Sequence, residues 1–397
     1  MRIAVFTDTF LPSINGVVTA IVNSTRGLAA KRHQIIIFTS SGTGSEKINL
    51  GHGITIKYYK TTNLIKYPDF KLAVPSVRII NEMSKFKPDV IHSHMPSFLG
   101  WEAVICSKMF HTPLIGTYHT LLPDFMGHTR LPRYMSESEA AKRIVWGYTR
   151  GYYNLCDQVI TPSKAMKDVL VKEGIKKPIR AMSNGVDLKR FKPANRNEKI
   201  SGVRKIIHVG RISYEKDIET VIKAYKIAMK EEPDWKLRIV GGGPDLKRLK
   251  KVAGRLLHKK IEFSGPINHN KLSKIYSRAD VFVTASTIET EGLVILEAMA
   301  CGLPVVGVDK LAIPNIVKHE KTGFIAKAHD EKEMASYLLK LMRSRKLRQQ
   351  MGRRGALEVS KYSIDKTIET LEKIYKEARR NKRRKKEDKK RYSHKKA

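Results

Sequence analysis

Apolar residues along this chain arrive as short dense runs separated by stretches with helical spacing. "RIAVFT" (residues 2–7) is followed by helical periodicity over residues 17–31, then "QIIIFTS" (34–40). "DVIHSH" (89–94), "PLIGTYH" (113–119) and "QVITPS" (158–163) repeat the dense pattern. Runs of this kind, apolar at nearly every position, are the signature of strands buried on both faces of a parallel sheet. Their alternation with helices predicts βαβ units and a doubly wound domain.

The pattern pauses over "SNGVDLKRFKPANRNEKISG" (183–202), rich in Gly, Pro, Asn and charge, which reads as a linker. It then restarts. "KIIHVGR" (205–211), "WKLRIVGGG" (235–243), "KIEFSG", "DVFVTAS" and "PVVGV" are strands, with a helix over 218–230. A second helix runs from Gly292 to Cys301 and stops at "GLP", because Gly302 and Pro304 cannot continue it. The expected architecture is α/β: two doubly wound Rossmann-like domains facing a central cleft. The first covers 1–183, a linker 184–202, and the second 203–360. A helix over 361–380 crosses back over the first domain, and a disordered basic tail fills 381–397.

Charge changes this picture. The 397 residues carry a formal net charge of +38, which draws a protein towards nucleic acid, an anionic membrane face or phosphate-bearing substrates. The final stretch "KEARRNKRRKKEDKKRYSHKKA" holds 13 Lys or Arg against 3 acids, a net of +10, so 38 − 10 leaves the body basic as well. The three cysteines, Cys106, Cys156 and Cys301, are far apart and form no CxxC pair, which fits a reducing cytosol without disulfides or zinc. No apolar run reaches the roughly 20 residues that span a bilayer. The opening "MRIAVFTDTFLP" reads as a buried first strand rather than a signal peptide.

In open α/β sheets ligands bind beyond the carboxyl ends of strands, so side chains just after strands are the candidates. Asn15-Gly16 opens a helix after the first strand, where a glycine lets backbone N–H groups approach a phosphate or sugar. His119 ends a strand. Arg211 and Lys216, in "GRISYEKDIE", follow another and could clamp a diphosphate. "VGGGP" (240–244) is a glycine turn that lacks the GxGxxG spacing of a nicotinamide site. In "ETEGLVILEAMACGLPVV" (289–306), Gly292 starts a helix whose first amides and dipole favour an anion. Glu289 precedes that helix and Glu297 lies inside it, so one carboxylate suits a sugar and the other a ribose diol. Taken singly, each of these is an ordinary turn, a structural histidine or a surface charge.

Together they resemble glycosyltransferase family four, retaining enzymes of the GT-B fold. "ETEGLVILEAMACGLPVV" is similar to that family's E-x7-E signature, "GRISYEKD" to its Arg…Lys motif, "NGVV" to its glycine loop and "SNGVDLKRFKP" to its linker motif. The resemblance runs to about Tyr375. "TYHT", "DTFLPSINGV" and "TETEGL" look most like diacylglycerol glucosyltransferases, although that branch usually has Gln where this chain has Glu291, a negative charge near the phosphate site.

The resemblance implies transfer of a hexose, glucose from UDP-glucose, to a glycerolipid hydroxyl with the α configuration retained. It makes His119 and Glu289 catalytic, and gives Gly16, Arg211, Lys216, Glu289, Gly292, Leu293 and Glu297 to the donor. Asp8, Asn15 and Asp124 fall to the acceptor. It implies no metal and no cofactor beyond the nucleotide sugar, with the helix dipole and two cations neutralising the leaving diphosphate. It also implies a cytoplasmic enzyme held peripherally on the membrane. The basic body and the aromatic–basic stretches at 57–60 and 64–72 would dock on anionic lipid. Phosphoinositide or polysaccharide acceptors, with mannose as donor sugar, are the alternative. A nucleic-acid-binding protein is the reading from a different class, resting on charge alone.

Overall fold

The computed structural model describes residues 1–13, 15–41, 48–62, 72–73, 77–121, 138–193 and 204–394. The chain divides into two compact units, Met1–Asn184 with Ile364–Ala397, and Gly185–Ser363.

The first unit carries β1 (Arg2–Thr7), β2 (Gln34–Ser41), β3 (Ile54–Thr62), β4 (Leu72–Ala73), β5 (Val90–Ser93), β6 (Leu114–Thr117), β7 (Gln158–Thr161) and β8 (Ile179–Ala181). They form one sheet in the order β4-β3-β2-β1-β5-β6-β7-β8. Every pairing in it is parallel except β3 with β4. The connections use α1 (Gly16–Ala30), α2 (Val77–Phe86), α3 (Phe98–Met109), α4 (Glu139–Tyr153) and α5 (Lys164–Lys172).

The second unit carries β9 (Arg204–Val209), β10 (Trp235–Val240), β11 (Ile261–Phe263), β12 (Val281–Val283), β13 (Val305–Val308) and β14 (Gly323–Ala326). These are all parallel, in the order β11-β10-β9-β12-β13-β14. Around them lie α6 (Ile218–Ala228), α7 (Leu246–Ala253), α8 (Leu272–Ser277), α9 (Leu293–Ala300), α10 (Ile313–Ile316), α11 (Glu331–Arg343) and α12 (Arg345–Val359). Two parallel sheets with flanking helices are the expected architecture.

The last helix, α13 (Ile364–His394), belongs to the first unit. Its apolar stripe, Ile368, Leu371, Ile374, Tyr375 and Ala378, is buried with Ile3, Val5, Ile37 and Val90 of the sheet and Ile21 and Leu28 of α1. The helical spacing of these positions explains why α13 docks at all.

Three readings of the sequence need correcting. The tail expected to be disordered over 381–397 is helical as far as His394. Lys, Arg and Glu are good helix formers, and the docked first half supplies the nucleus that an isolated segment would lack. Lys382 also ties the extension to Asp157, 3.0 Å away. Second, the linker is shorter than 184–202. Val186 and Phe191 are core residues of the second unit, and Val186 bridges to Ser363. A sparse apolar pair without period carried no helix or strand signal. Third, residues 57–60, expected to dock on lipid, lie in β3, where Tyr59 is not available to a surface. Tyr59 is buried against Phe38, with ring centroids 6.1 Å apart, and Lys57 pairs with Glu82 at 3.1 Å. The companion stretch at 64–72 lies outside the described residues apart from Leu72.

Candidate functional site

In each sheet the strand order reverses at one place, between β1 and β5 in the first and between β9 and β12 in the second. Chains leave such a point in opposite directions and open a crevice at the carboxyl edge. The predicted residues cluster at these two points.

In the second unit the segment after β9, Gly210–Ile212, runs flat beside the glycine turn after β10. Gly210 N–H donates to Val240 O at 3.0 Å and Ile212 N–H to Gly242 O at 2.9 Å. A Cβ on Gly241 would sit 1.8 Å from the Gly210 carbonyl oxygen, and one on Gly243 2.2 Å from that of Ile212. The glycines of "VGGGP" therefore let the Arg211 segment lie where it does, a role that spacing alone did not reveal. Arg211 itself is exposed. Beneath it, burial pushes His208 down to about 4 and keeps it neutral, with Nδ1 3.0 Å from Val283 O.

A single 3-10 turn, Tyr214–Lys216, then carries Lys216 back towards β12. It ends at Asp217, left-handed at φ 42°, whose carboxylate caps α6 by accepting from the Thr220 N–H at 3.4 Å and also accepts from the Thr220 hydroxyl at 2.7 Å. The Thr287 N–H holds the Glu215 carbonyl at 3.0 Å, so the turn is fastened to the loop after β12. Lys216 Nζ then lies 2.5 Å from Glu289 Oε1 and 3.4 Å from Ser286 Oγ. Both members of the ion pair are mostly shielded from solvent.

Gly292 sits three residues further on, left-handed at φ 79°, and caps α9. The helix proper begins at Leu293, one residue later than the sequence suggested, because that conformation cannot belong to it. The amides of Ile295 and Leu296 return to the Gly292 carbonyl at 2.9 and 3.1 Å. Those of Leu293 and Val294 are left without a helical acceptor, as the first amides of a helix always are. Glu291, next to the cap, is buried. Glu297 is buried one turn into α9. Its Oε1 lies 2.7 Å from His269 Nε2, and its Oε2 accepts from the Tyr276 hydroxyl at 3.2 Å. Burial, aided by Glu297, holds the Tyr276 phenol well above its usual range. Arg211, Lys216, Glu289, Gly292, Leu293 and Glu297 thus fall at one switch point. Ser286, His269 and Tyr276 join them. His269 and Tyr276 lie too far back in the chain from the 289–306 segment to form a motif with it.

In the first unit Asp8 follows β1 and is buried, accepting from the Ser97 hydroxyl at the start of α3. His94 follows β5 and His119 follows β6. His94 Nδ1 lies 2.9 Å from His119 Nε2, and the rings stack with centroids 5.2 Å apart. His92, inside β5, packs 4.1 Å from His94 and bonds Tyr375 and Thr117 at 2.6 Å each. Burial lowers His92 to about 3 and His119 to about 4, and holds His94 well below its ordinary value. All three are neutral at pH 7, so one of His94 and His119 donates the shared hydrogen and the other accepts it. His92 and His94 were read only as part of a strand; the His-x-His spacing at its end was the available signal. Asn15 caps α1, accepting from Val18 N–H at 2.9 Å and donating to Thr9 Oγ1 at 3.2 Å, and Gly16 is the first helical residue. Asp124 lies outside the described residues. Among the described residues no three His, Cys, Asp or Glu side chains are grouped to hold a metal.

Comparison with known proteins matches these two units in turn. Residues 14–190 fit the model of Glycosyltransferase Family 4, and residues 190–358 that of Glycosyl transferases group 1. The sulfoquinovosyl transferase SQD2 of Arabidopsis thaliana is 31% identical over 378 residues, covering 91% of this chain and 70% of that protein. The chain belongs to the family-four glycosyltransferases. Other relatives of this glycosyltransferase include an alpha-monoglucosyldiacylglycerol synthase of Streptococcus pneumoniae, 29% identical over 86% of this chain and 78% of its own. A GDP-mannose-dependent alpha-mannosyltransferase of Mycobacterium tuberculosis is 27% identical over 82% of this chain and 83% of its own. The sucrose-phosphate synthase of Thermosynechococcus elongatus shares the GT-B fold, with a TM-score of 0.78 at 20% identity over 95% of this chain and 98% of that one. Both family models end before α13, so the basic helix of this glycosyltransferase lies outside them.

Proposed function

We propose that this glycosyltransferase moves a hexose, glucose from UDP-glucose, to a hydroxyl of a glycerolipid such as diacylglycerol, with retention of the α anomer. The observation that carries the reading is the Lys216–Glu289 pair beside the open amides of α9, with Glu297 buried one turn further along. A diphosphate needs cations and amide donors; a ribose diol and a sugar need carboxylate acceptors; the second unit offers both within one loop and helix. The relative named for glucosyldiacylglycerol synthesis supports a lipid acceptor.

In this scheme Arg211, Lys216 and the Leu293 and Val294 amides hold the diphosphate, and Glu297 accepts from the ribose. Glu289 orients the sugar. The bond from the sugar's anomeric carbon to the phosphate oxygen breaks as the bond to the acceptor oxygen forms on the same face. The acceptor proton passes to the leaving phosphate, so no carboxylate need act as a nucleophile. Asp8 and the neutral His94–His119 pair serve the acceptor and the reacting sugar. Among the described residues no helix is long and apolar enough to cross a membrane, and a peripheral enzyme meeting its lipid at the cytoplasmic face is consistent with this. The three cysteines, all free and buried, suit a reducing compartment.

A panel of radiolabelled UDP- and GDP-sugars, incubated with the protein and a total lipid extract, tests the scheme. Label from UDP-glucose should appear in a neutral glycolipid. Label from GDP-mannose in an acidic lipid would instead establish the second reading, a phosphoinositide mannosyltransferase, which the mannosyltransferase relative favours.

A further inference from the structure

The helix α13 crosses one face of the first sheet from edge to edge. Thr367 Oγ1 donates to Ser183 O at 3.0 Å, just beyond β8, and Tyr375 reaches His92 in β5. Arg379 then pairs with Asp89 at 3.1 Å, just before β5, and Lys382 with Asp157, just before β7. The helix therefore enters at the carboxyl edge of the strands and leaves at the amino edge. Asp8, His94 and His119 all lie at the carboxyl edge. Whatever the basic half of α13 binds is thus held at the opposite end of the sheet from these side chains.

Where α13 leaves the sheet it forms a groove with Met1, lined also by Lys376, Arg379, Arg380, Arg383, Arg384 and Glu387. Lys376 pairs with Glu372 at 2.7 Å, a carboxylate it shares with Lys31 at 3.0 Å. Arg380, Arg383 and Arg384 are exposed and make no ion pair among the described residues, and Glu387 is the one acid in the lining against five Lys and Arg, so the groove stays basic. Their spacing puts them on neighbouring turns of one helix. Arginine is the side chain whose planar fork matches phosphate oxygens in pairs. Lys385 and Lys386 continue the charge along the exposed helix, and no apolar side chain occurs between Ala378 and Tyr392. At about 1.5 Å per residue the basic stretch is far longer than one phosphate needs, and it has no face to insert into hydrocarbon.

We propose that this groove and the helix beyond it bind the phosphate headgroups of an anionic phospholipid bilayer, as an anchor separate from the acceptor site. The proposal rests on the reading of the enzyme as one that works on a membrane lipid. A bilayer supplies phosphates in an extended array, which a helix this long can meet along its length, whereas a free phosphate would fill only the groove. Because the attraction is electrostatic, it weakens as salt rises.

The test uses the full-length protein and vesicles of phosphatidylcholine with and without phosphatidylglycerol. The variant R380Q/R383Q/R384Q keeps good helix formers and removes three charges. The control R345Q/R353Q/R354Q removes the same charge from exposed positions of α12. The first variant should lose binding to the anionic vesicles by on the order of 10- to 100-fold, from three cations at the surface. The control should stay within about threefold of wild type. UDP-glucose hydrolysis in solution should be unchanged in both. Equal losses in the two variants would show that net charge alone acts, and would overturn the site. So would inorganic phosphate competing fully at millimolar concentration, or duplex DNA being bound more tightly than the vesicles at the same salt and released by the same variant. If the wild type binds anionic vesicles through these arginines but glycosylates no lipid, the site stands and the acceptor reading fails. If it glycosylates lipid with the triple variant binding normally, the reverse holds.

Discussion

At the scale of single residues the two glutamates of the 289–306 segment are distinguished by what holds them. Glu289 pairs with a lysine, while Glu297 is buried and held by His269 and Tyr276. Glu297→Ala should therefore weaken UDP-glucose binding by on the order of 100-fold, since two charge-assisted hydrogen bonds are lost. Glu289→Ala should mainly lower kcat. Calorimetric titration of donor and steady-state kinetics separate the two; wild-type affinity in Glu297→Ala would remove it from the ribose role. Gly241 makes a different point, because it has no side chain to do chemistry. An alanine there would drive Cβ into the Gly210 carbonyl and push the Arg211 segment away. Gly241→Ala should raise KM for the donor at least tenfold, roughly as removal of one charged phosphate contact would. An unchanged KM would mean that Arg211 does not depend on this packing.

At the scale of elements α13 has two halves with different work. Its first half fills the first unit's core and meets His92 through Tyr375; its second half is charged, and exposed from Arg383 to Asp388. Truncation after Ser363 should give an insoluble or unfolded first unit, because five buried apolar side chains and one buried hydrogen bond are lost together. Truncation after Arg380 should leave the melting temperature nearly unchanged, with only the dichroism of the missing helical turns lost, while salt-sensitive vesicle binding falls. Binding should not vanish, since the body stays strongly basic. A cooperative loss of structure in the shorter truncation would place the basic half in the core after all.

At the scale of the whole molecule the buried histidines set an acid limit. His92, His119 and His208 are lowered from 6.5 to about 3, 4 and 4 by burial, and His94 falls in the same direction. Between pH 6.5 and about 4 the unfolded chain binds protons that the folded one refuses, so stability falls as the solution is acidified through that window. Each such histidine contributes on the order of 1–2 kcal/mol of loss by pH 5. Melting temperatures should drop between pH 7 and pH 5, and less steeply in His208→Gln. Parallel slopes for variant and wild type would show that other groups set the limit. Activity should also persist in excess EDTA, because the leaving diphosphate has cationic and amide partners of its own. A rate lost with EDTA and restored by magnesium would overturn that account.

Much of this was legible in the sequence because it depends on local regularities. Strands buried on both faces are apolar at every position, so β1, β2, β5 and β9 announced themselves, and with them two doubly wound sheets. The segment around Gly292 was legible for a similar reason: a helix start after a strand is a short-range event, and both glutamates fall within eight residues of each other. Tertiary structure decided what depended on distant partners. The neutral stack of His92, His94 and His119 exists because two adjacent strands end level with each other. Glu297 is buried because His269 and Tyr276, far back in the chain, are there to receive it. "VGGGP" gained its meaning only when β10 lay beside β9 and left no room for a Cβ. Val186 and Phe191 became core because the second sheet surrounds them. The basic end of α13, all charge and no period, had no structure to predict on its own; its helix continues from a first half that the core had already fixed in place.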